Sequence, residues 1–487
     1  MLEMLQIRSD GGIHGADRRL PGAVLRAVAQ PLPPDFQLSA LAAGAWADSH
    51  EVAWLGGSGG PAGLSWEELV AFDEPRSVFA GGARELDALL RALEEPVRCD
   101  APELAFAACA VGYLTYECGR FFERLPAATP QIFGIPDARF VLPAAVAVRD
   151  AAGLPHLLVI AEDDFLLPVR ARRAHALTRR LHALGQARRA AAAPTLQVRP
   201  GWTRDEYISA IRRTIAHIAA GDIYQANVSQ RFDAFSTGDP LDVHLRLLEH
   251  NPSPFAAFIG FGDRAIVSAS PELFLRRRGA TVETRPIKGT RRRTGDPAAD
   301  ATACAELAGS EKDAAELAMI LDLERNDLSR VCRAGSVRVV SAAETETYAT
   351  VFHRVAIVNG TLRAEASLRE LLAATFPGGS ITGCPKIRAV EILHELEREP
   401  RGPCFGAIGR VSHGGDLDLN VAIRTLTFAR AAGETGISWN ATFRTGGGIV
   451  ADSDPQAEYA ESLAKARALA AALGDPDLEV RTCLPPS

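Results

Sequence analysis

TRDEYISAIRRTIAHIAAGDIYQANVSQRF, residues 203–232, changes its periodicity partway along, and that change sets the fold class. Thr203 with Glu206 three residues on is a capping-box pattern, and Tyr207, Ile211, Ile215 and Ile218 follow at helical spacing. Gly221 falls where a helix ends on a left-handed residue. From there 223–235 reads as a strand, so helix gives way to sheet across a single glycine. Working outward, further strands are expected near 256–261, 265–269 and 280–286, and helices over 314–328, 368–374, 385–397 and 455–472. Helices and strands alternate irregularly with no repeat at solenoid period, which predicts an α+β (mixed α/β) architecture.

Before this unit lies a region with strands expected at 139–148 and 155–160 and a basic, alanine-rich stretch at 169–193 that stops at Pro194. The stretch reads as a solvated helix leading into a linker rather than as a phosphate-binding patch. The chain is therefore divided into an N-terminal region, 1–195, a catalytic unit, 200–470, and a tail, 471–487.

Composition bounds the partners. With 487 residues, 47% hydrophobic and 23% charged, the chain buries a large core in one or two domains. A net charge of −7 leaves no overall electrostatic footprint for nucleic acid. The eight cysteines form no CxxC pair and no Cys/His cluster at zinc spacing, so they read as thiols of a reducing compartment. No stretch approaches the roughly 18 apolar residues of a membrane span, and the first twenty residues carry no apolar run; the expected location is the cytoplasm, with no membrane partner.

Three constellations carry chemistry. After the glycine run Gly446, Gly447 and Gly448, whose amides can approach an anion closely, Asp454 and Pro455 open a helix that carries Glu458, Glu461 and Lys465 on one face. That face reads either as a ligand-binding row or as an exposed Glu461–Lys465 salt bridge. Glu316, among Leu317, Met319, Ile320 and Leu323, is a candidate half-buried carboxylate on a second helix that also carries Asp313, Asp322, Glu324 and Asp327. Carboxylates from two helices suit Mg²⁺, although a solvated acidic helix has the same pattern. The third is SASPELFLR (268–276) followed by TRPIKGTRRR (284–293), which sets a lone acid, Glu272, sixteen residues before Lys288. Cationic neighbours and burial both lower a lysine's pKa, the condition for a nucleophilic amine; an ordinary surface lysine in a basic turn is the other reading.

These stretches, with GDIYQANVSQRF (221–232), EKDAAELAMILDLERNDLSRV (311–331), FPGGSITGCPKIRAVEIL (376–393), GPCFGAIGRV (402–411), LDLNVAIRTL (417–426) and GGGIVADSDPQAEYAESLAKA (446–466), resemble the chorismate-utilising enzymes in family order. That family comprises the anthranilate, aminodeoxychorismate, isochorismate and salicylate synthases. A weaker block, VGYLTYECGRFFE (111–123), extends the likeness into the first half. The resemblance implies antiparallel sheets in a sandwich-like core flanked by helices. It implies that Glu316 and Glu461, with Glu458, hold Mg²⁺, and that Arg424 and Lys465 pair with the carboxylates of chorismate while Gly447 and Gly448 present amides. Glu272 is then the general acid for the departing C4 hydroxyl, and Thr290 and His353 lie beside the substrate. Gln225 stands where isochorismate synthases place a water-activating lysine.

Lys288 stands where anthranilate synthases typically have alanine and looks like the nucleophile of the aminodeoxychorismate synthases, with ammonia as second substrate. No glutaminase signature is present, so the resemblance implies a glutamine amidotransferase partner. Anthranilate synthesis is the nearest rival, against which Lys288 argues. A non-catalytic chorismate-binding subunit is the remoter one, with no need of both acid and nucleophile.

Overall fold

The Thr203 capping box forms as read: the Thr203 hydroxyl accepts from the Glu206 amide at 3.3 Å, and the Glu206 carboxylate accepts from the Thr203 amide at 2.7 Å. The helix they open, Arg204–Ala219, ends with Gly221 at φ +82°, and the strand Gln225–Ser236 follows. A computed structural model describes residues 25–478 except 50, 62–63, 73–75, 81, 127–129, 162–165, 189–196, 237, 398 and 432–437. The linker expected after the basic helix and the tail beyond 478 lie outside the described residues.

Two large, almost wholly antiparallel sheets form the frame. In the first, Gln225–Ser236 pairs with Trp439–Ile449, and the sheet continues through Thr425–Arg430, Arg264–Ser270 and Phe255–Phe261 into Val52–Gly56, Leu69–Phe72, Ala145–Arg149 and Pro155–Ala161. In the second, Ile287–Arg292 pairs with Val351–Thr361, followed by Thr281–Arg285, Leu273–Arg278, Leu417–Val421, Ala407–Ser412, Cys109–Leu114 and Ala138–Leu142. Strands from before residue 195 and after residue 200 thus share both sheets.

Strand alternation shows how the layers stack. Ala53 and Leu55 join Val111, Tyr113 and Ile408 in an apolar cluster between the sheets, while Trp54, one residue out of phase, packs in a second cluster with the helices on the outer faces. The result is the expected sandwich of sheets flanked by helices.

The single strand expected at 139–148 forms two, Ala138–Leu142 in one sheet and Ala145–Arg149 in the other. Pro143 sits at the break, where a residue without an amide donor cannot continue a ladder. The basic stretch is the helix Leu167–Ala187, with Arg180 paired to Asp48 at 2.6 Å. It crosses the helix Leu38–Ala47 through facing glycines: a Cβ on Gly44 or Gly185 would lie 1.7 Å from a backbone oxygen of the other helix. The helices expected at 314–328 and 385–397 span Glu311–Ser329 and Lys386–Glu397, and the last is Pro455–Ala472.

Candidate active site

Lys288 owes its direction to a bulge. The strand Ile287–Arg292 pairs with Val351–Thr361 at Ile287↔Val355 and Thr290↔His353, and the register shifts between these two pairs. Gly289, inside the shift, has φ +85°, and a Cβ there would meet Asp313 and Leu307 at 2.9 Å. Only glycine fits this turn, which re-aims the preceding side chain. The half-buried Lys288 amine thereby reaches the strand that carries the glycine run, 3.4 Å from where a Cβ on Gly448 would sit. Desolvation lowers its pKa, opposed by Glu316, reinforced by Lys465, and opposed again by Glu272 and Glu461.

Glu272 lies where the chain leaves the first sheet for the second, between Arg264–Ser270 and Leu273–Arg278. Its amide donates to the Ser270 hydroxyl at 3.2 Å, and its carbonyl accepts from the Val421 amide at 3.0 Å, so the backbone is tied on both sides. The carboxyl is buried, and Oε1 has no hydrogen-bond partner among the described residues. Burial pushes its pKa up to about 7, against the opposing effects of Ser380, Lys288 and the Ile287 backbone. A carboxylic acid half protonated near neutrality is suited to protonating a leaving group.

Other buried polar atoms without partners gather at the same place. Both amide atoms of Gln225 are buried and unpaired among the described residues, and a Cβ on Gly448 would lie 2.5 Å from its Nε2. His353 Nδ1 is 2.9 Å from the Thr290 hydroxyl, its Nε2 is unpaired, and its ring stands edge-on to Tyr348 at 4.8 Å. Burial, followed by the charge of Arg424, pushes the imidazole down to about 3, so it is neutral at physiological pH. Arg424 adopts φ +50° and donates to Asn251 Oδ1 at 3.2 Å. An arginine in the left-handed region carries backbone strain, a cost found mostly at functional sites.

The carboxylates of two helices approach each other around cations. Lys312 Nζ lies 3.8 Å from Glu316 and 4.0 Å from Glu458, whose carboxylate also accepts from the Ser453 hydroxyl at 2.8 Å. Lys465 sits 2.7 Å from Glu461 and donates to the Gly446 carbonyl at 2.9 Å, so the i,i+4 salt bridge does form, both partners being half exposed. A Cβ on Gly447 would stand 2.9 Å from Glu458 and 3.8 Å from Glu461, placing the glycine run directly against these acids. Burial raises Glu316 and Glu458, and the charge of Glu461 adds to both, whereas Lys465 lowers Glu461. No three His, Cys, Asp or Glu side chains among the described residues are already gathered around one point. The donors are nonetheless the hard oxygens that Mg²⁺ takes, and the repulsion felt by Glu316 and Glu458 is of the kind a divalent cation relieves.

Three residues with a part in this arrangement were not singled out by their sequence pattern. Lys312 lies between the acids, Ser380 is beside Glu272, and Tyr348 is against His353 while donating to Glu346 at 2.8 Å. Each reaches the site from a separate loop or helix end, and only Ser380, within the glycine-flanked FPGGSITG, had a local signal.

Residues 62–471 match the chorismate binding enzyme family, and the chain belongs to that family. Relatives of two named activities match at the same identity. Over 385 residues the chain is 39% identical to anthranilate synthase component 1 of Thermus thermophilus, covering 78% of this chain and 81% of that one. Over 375 residues it is 39% identical to aminodeoxychorismate synthase component 1 of Klebsiella aerogenes, covering 75% and 77%. The crystal structure of anthranilate synthase component I from Streptococcus pneumoniae TIGR4 superposes with a TM-score of 0.67 at 27% identity, covering 94% of each chain. No described helix is long and apolar enough to cross a membrane.

Proposed function

We propose that the chain is the synthase subunit of an aminodeoxychorismate synthase, converting chorismate and ammonia to 4-amino-4-deoxychorismate. The observation that carries this reading is Lys288: a half-buried amine with a lowered pKa, beside an acid whose pKa is raised to about 7. The two shifts favour a neutral amine next to a protonated carboxyl, the reverse of an ordinary Lys–Glu ion pair.

In this reading the Lys288 amine attacks ring carbon C2, both double bonds of the conjugated ring diene shift, and the C4–O bond breaks as Glu272 delivers its proton, so that hydroxide leaves as water. Ammonia then adds at C4, both double bonds shift back, and Lys288 departs from C2 as the neutral amine. The new C4 ammonium returns one proton to the Glu272 carboxylate, which restores both groups. Two successive allylic shifts bring nitrogen to the carbon that lost oxygen. Arg424 and Lys465 pair with the substrate carboxylates, the amides of Gly447 and Gly448 cradle one of them, and Gln225, Thr290 and His353 line the ring. Glu316 and Glu461, with Glu458, would hold Mg²⁺, which supplies positive charge for binding and orienting a ring carboxylate. Ammonia would come from a glutamine amidotransferase subunit in the cytoplasm, and the product would feed 4-aminobenzoate and folate synthesis.

Purified protein given chorismate, Mg²⁺ and ammonium should form aminodeoxychorismate, and a chelator should stop it. During turnover, denaturing mass spectrometry should detect a substrate adduct that Lys288→Ala abolishes. Anthranilate as the main product, or an adduct that persists in Lys288→Ala, would defeat the assignment.

A further inference from the structure

Lys312 is badly placed for the helix that carries it. It lies in the first turn of Glu311–Ser329, where a cation opposes the helix dipole, and it stands four residues before Glu316, the weaker order for a pair at that spacing. Its position makes sense against the other helix, Pro455–Ala472, which brings Glu458 to the same point. Nζ is 3.8 Å from Glu316 and 4.0 Å from Glu458, too far to hydrogen-bond to either, whereas Lys465 closes to 2.7 Å on Glu461. Lys312 therefore stands between two acids rather than pairing with one. No hydrogen bond among the described residues ties it down, while Lys465 is also anchored by the Gly446 carbonyl. Its charge reaches furthest as well: Lys288 acts on Glu316 and Glu461, Lys465 acts on Glu458 and Glu461, and Lys312 acts on all three.

We propose that Lys312 is a positioning residue that holds the place of the divalent cation: its ammonium balances the acids until Mg²⁺ binds and then gives way to solvent, so that Lys312 sets how tightly the metal is held. Three carboxylates drawn from two helices repel one another unless a cation stands among them. A metal that takes their oxygens meets the ammonium at the same place, and the ion with two charges prevails over the ion with one. The side chains differ in their freedom to move: Lys312 is 57% exposed, against 16% for Glu316 and 5% for Glu458, so the lysine can leave while the acids stay. Metal binding must then break the ion pairs of Lys312, and the affinity is lower by what they were worth. This rests on the three glutamates being the metal ligands, as proposed above, and it is indifferent to which product forms.

The test is calorimetric titration of Mg²⁺ alone into the full-length protein and into Lys312→Met, which keeps an unbranched side chain and removes the charge. The variant should bind Mg²⁺ about five-fold more tightly, the upper end of what exposed ion pairs are worth. Lys312→Arg keeps the charge and should stay within about two-fold of the wild type. A crystal structure with Mg²⁺ bound provides a second reading independent of affinity: Lys312 Nζ should lie beyond 4.0 Å from both Glu316 and Glu458. Unchanged or weaker binding by Lys312→Met, equal tightening in Lys312→Arg, or an ammonium still between the acids beside the bound metal would each overturn the proposal. Glu461→Gln separates the two ideas. If it binds Mg²⁺ as the wild type does, or if no form binds the ion, the metal assignment fails and this inference with it; if it loses the ion while Lys312→Met binds like the wild type, only the role of Lys312 is wrong.

Discussion

Adding one methyl group at Gly448 should disable the enzyme while leaving it folded. Gly448 pairs with Asn227 in the first sheet, and Gln225, two residues away on the same strand, is held at its backbone by pairing with Cys384. A Cβ on Gly448 would stand 2.5 Å from Gln225 Nε2, about 1 Å inside the ordinary contact distance, and 3.4 Å from Lys288 Nζ. Neither strand can retreat, so the overlap must be relieved by the Gln225 side chain, which moves into the space in front of Lys288. The end of a flexible side chain moves cheaply, so the cost to stability should be at most about 1 kcal/mol, the low end for an added methyl. Misplacing groups at a reacting centre by about 1 Å costs about 10²-fold, or about 2.7 kcal/mol of transition-state stabilisation. Gly448→Ala should therefore lose about 10²-fold in kcat/KM for chorismate, followed by chromatography of the product, with a thermal midpoint close to wild type. Gly446→Ala provides the contrast. Its Cβ would lie 1.9 Å from the Val228 backbone oxygen, so that variant should lose the sheet and the fold. Wild-type kinetics in Gly448→Ala would refute the close approach of this strand to Lys288 and Gln225.

Activity at constant free ammonia should describe a bell in pH. The active form has Lys288 neutral, with its pKa below the ordinary lysine range, and Glu272 protonated, with its pKa raised to about 7, so one limb is set by each group; a rate that climbs steadily to pH 9 would contradict the acid assignment. Away from the site, the buried Glu397 accepts from Arg401 at 2.7 and 2.9 Å, from Arg444 at 3.0 Å and from the Ser229 amide at 2.9 Å. Glu397→Ala strands two buried guanidiniums and should cost about 3–5 kcal/mol in urea unfolding at neutral pH. Because these partners depress the Glu397 pKa, its contribution is complete above the unfolded value of about 4.3 and is lost as pH falls through the folded one. The gap between wild type and variant should therefore narrow in acid, and a constant gap would show that the charge is not what matters.

What the sequence revealed and what it withheld follow from the range of each interaction. The capping box at Thr203, the left-handed Gly221 and the helix starting at Pro455 depend on neighbours within four residues, and all formed where the pattern put them. The strand expected at 139–148 was read through Pro143, because each half is a good strand and only the sheets decide that the halves part there. The site shows the same division. Glu272, Lys288, Gln225 and Gly448 could be nominated from their blocks, but the bulge at Gly289 that points Lys288 toward Gly448 depends on Asp313 and Leu307 filling the space a side chain would need.

Charge state is the least legible property of all, because it depends on what the fold places around each group. Glu324 and Asp327 stand three residues apart on one helix, are equally buried, and are both raised by desolvation. Lys386, contributed by a different helix, pairs with Asp327 and counteracts the rise there, whereas the main partner of Glu324 is a neutral hydroxyl, so its pKa reaches about 8. Reading EKDAAELAMILDLERND, nothing distinguishes the two acids. The difference is made by which distant strand or helix arrives beside each, and the same holds for Lys288: its neighbours Glu316, Lys465 and Glu272 come from three separate segments, and burial, reinforced by Lys465, outweighs the two carboxylates that oppose it. A lysine pKa lowered in this way is a property of the assembled sheets, and a substitution that opens the wall around it should restore ordinary lysine behaviour while leaving the TRPIKGT motif intact.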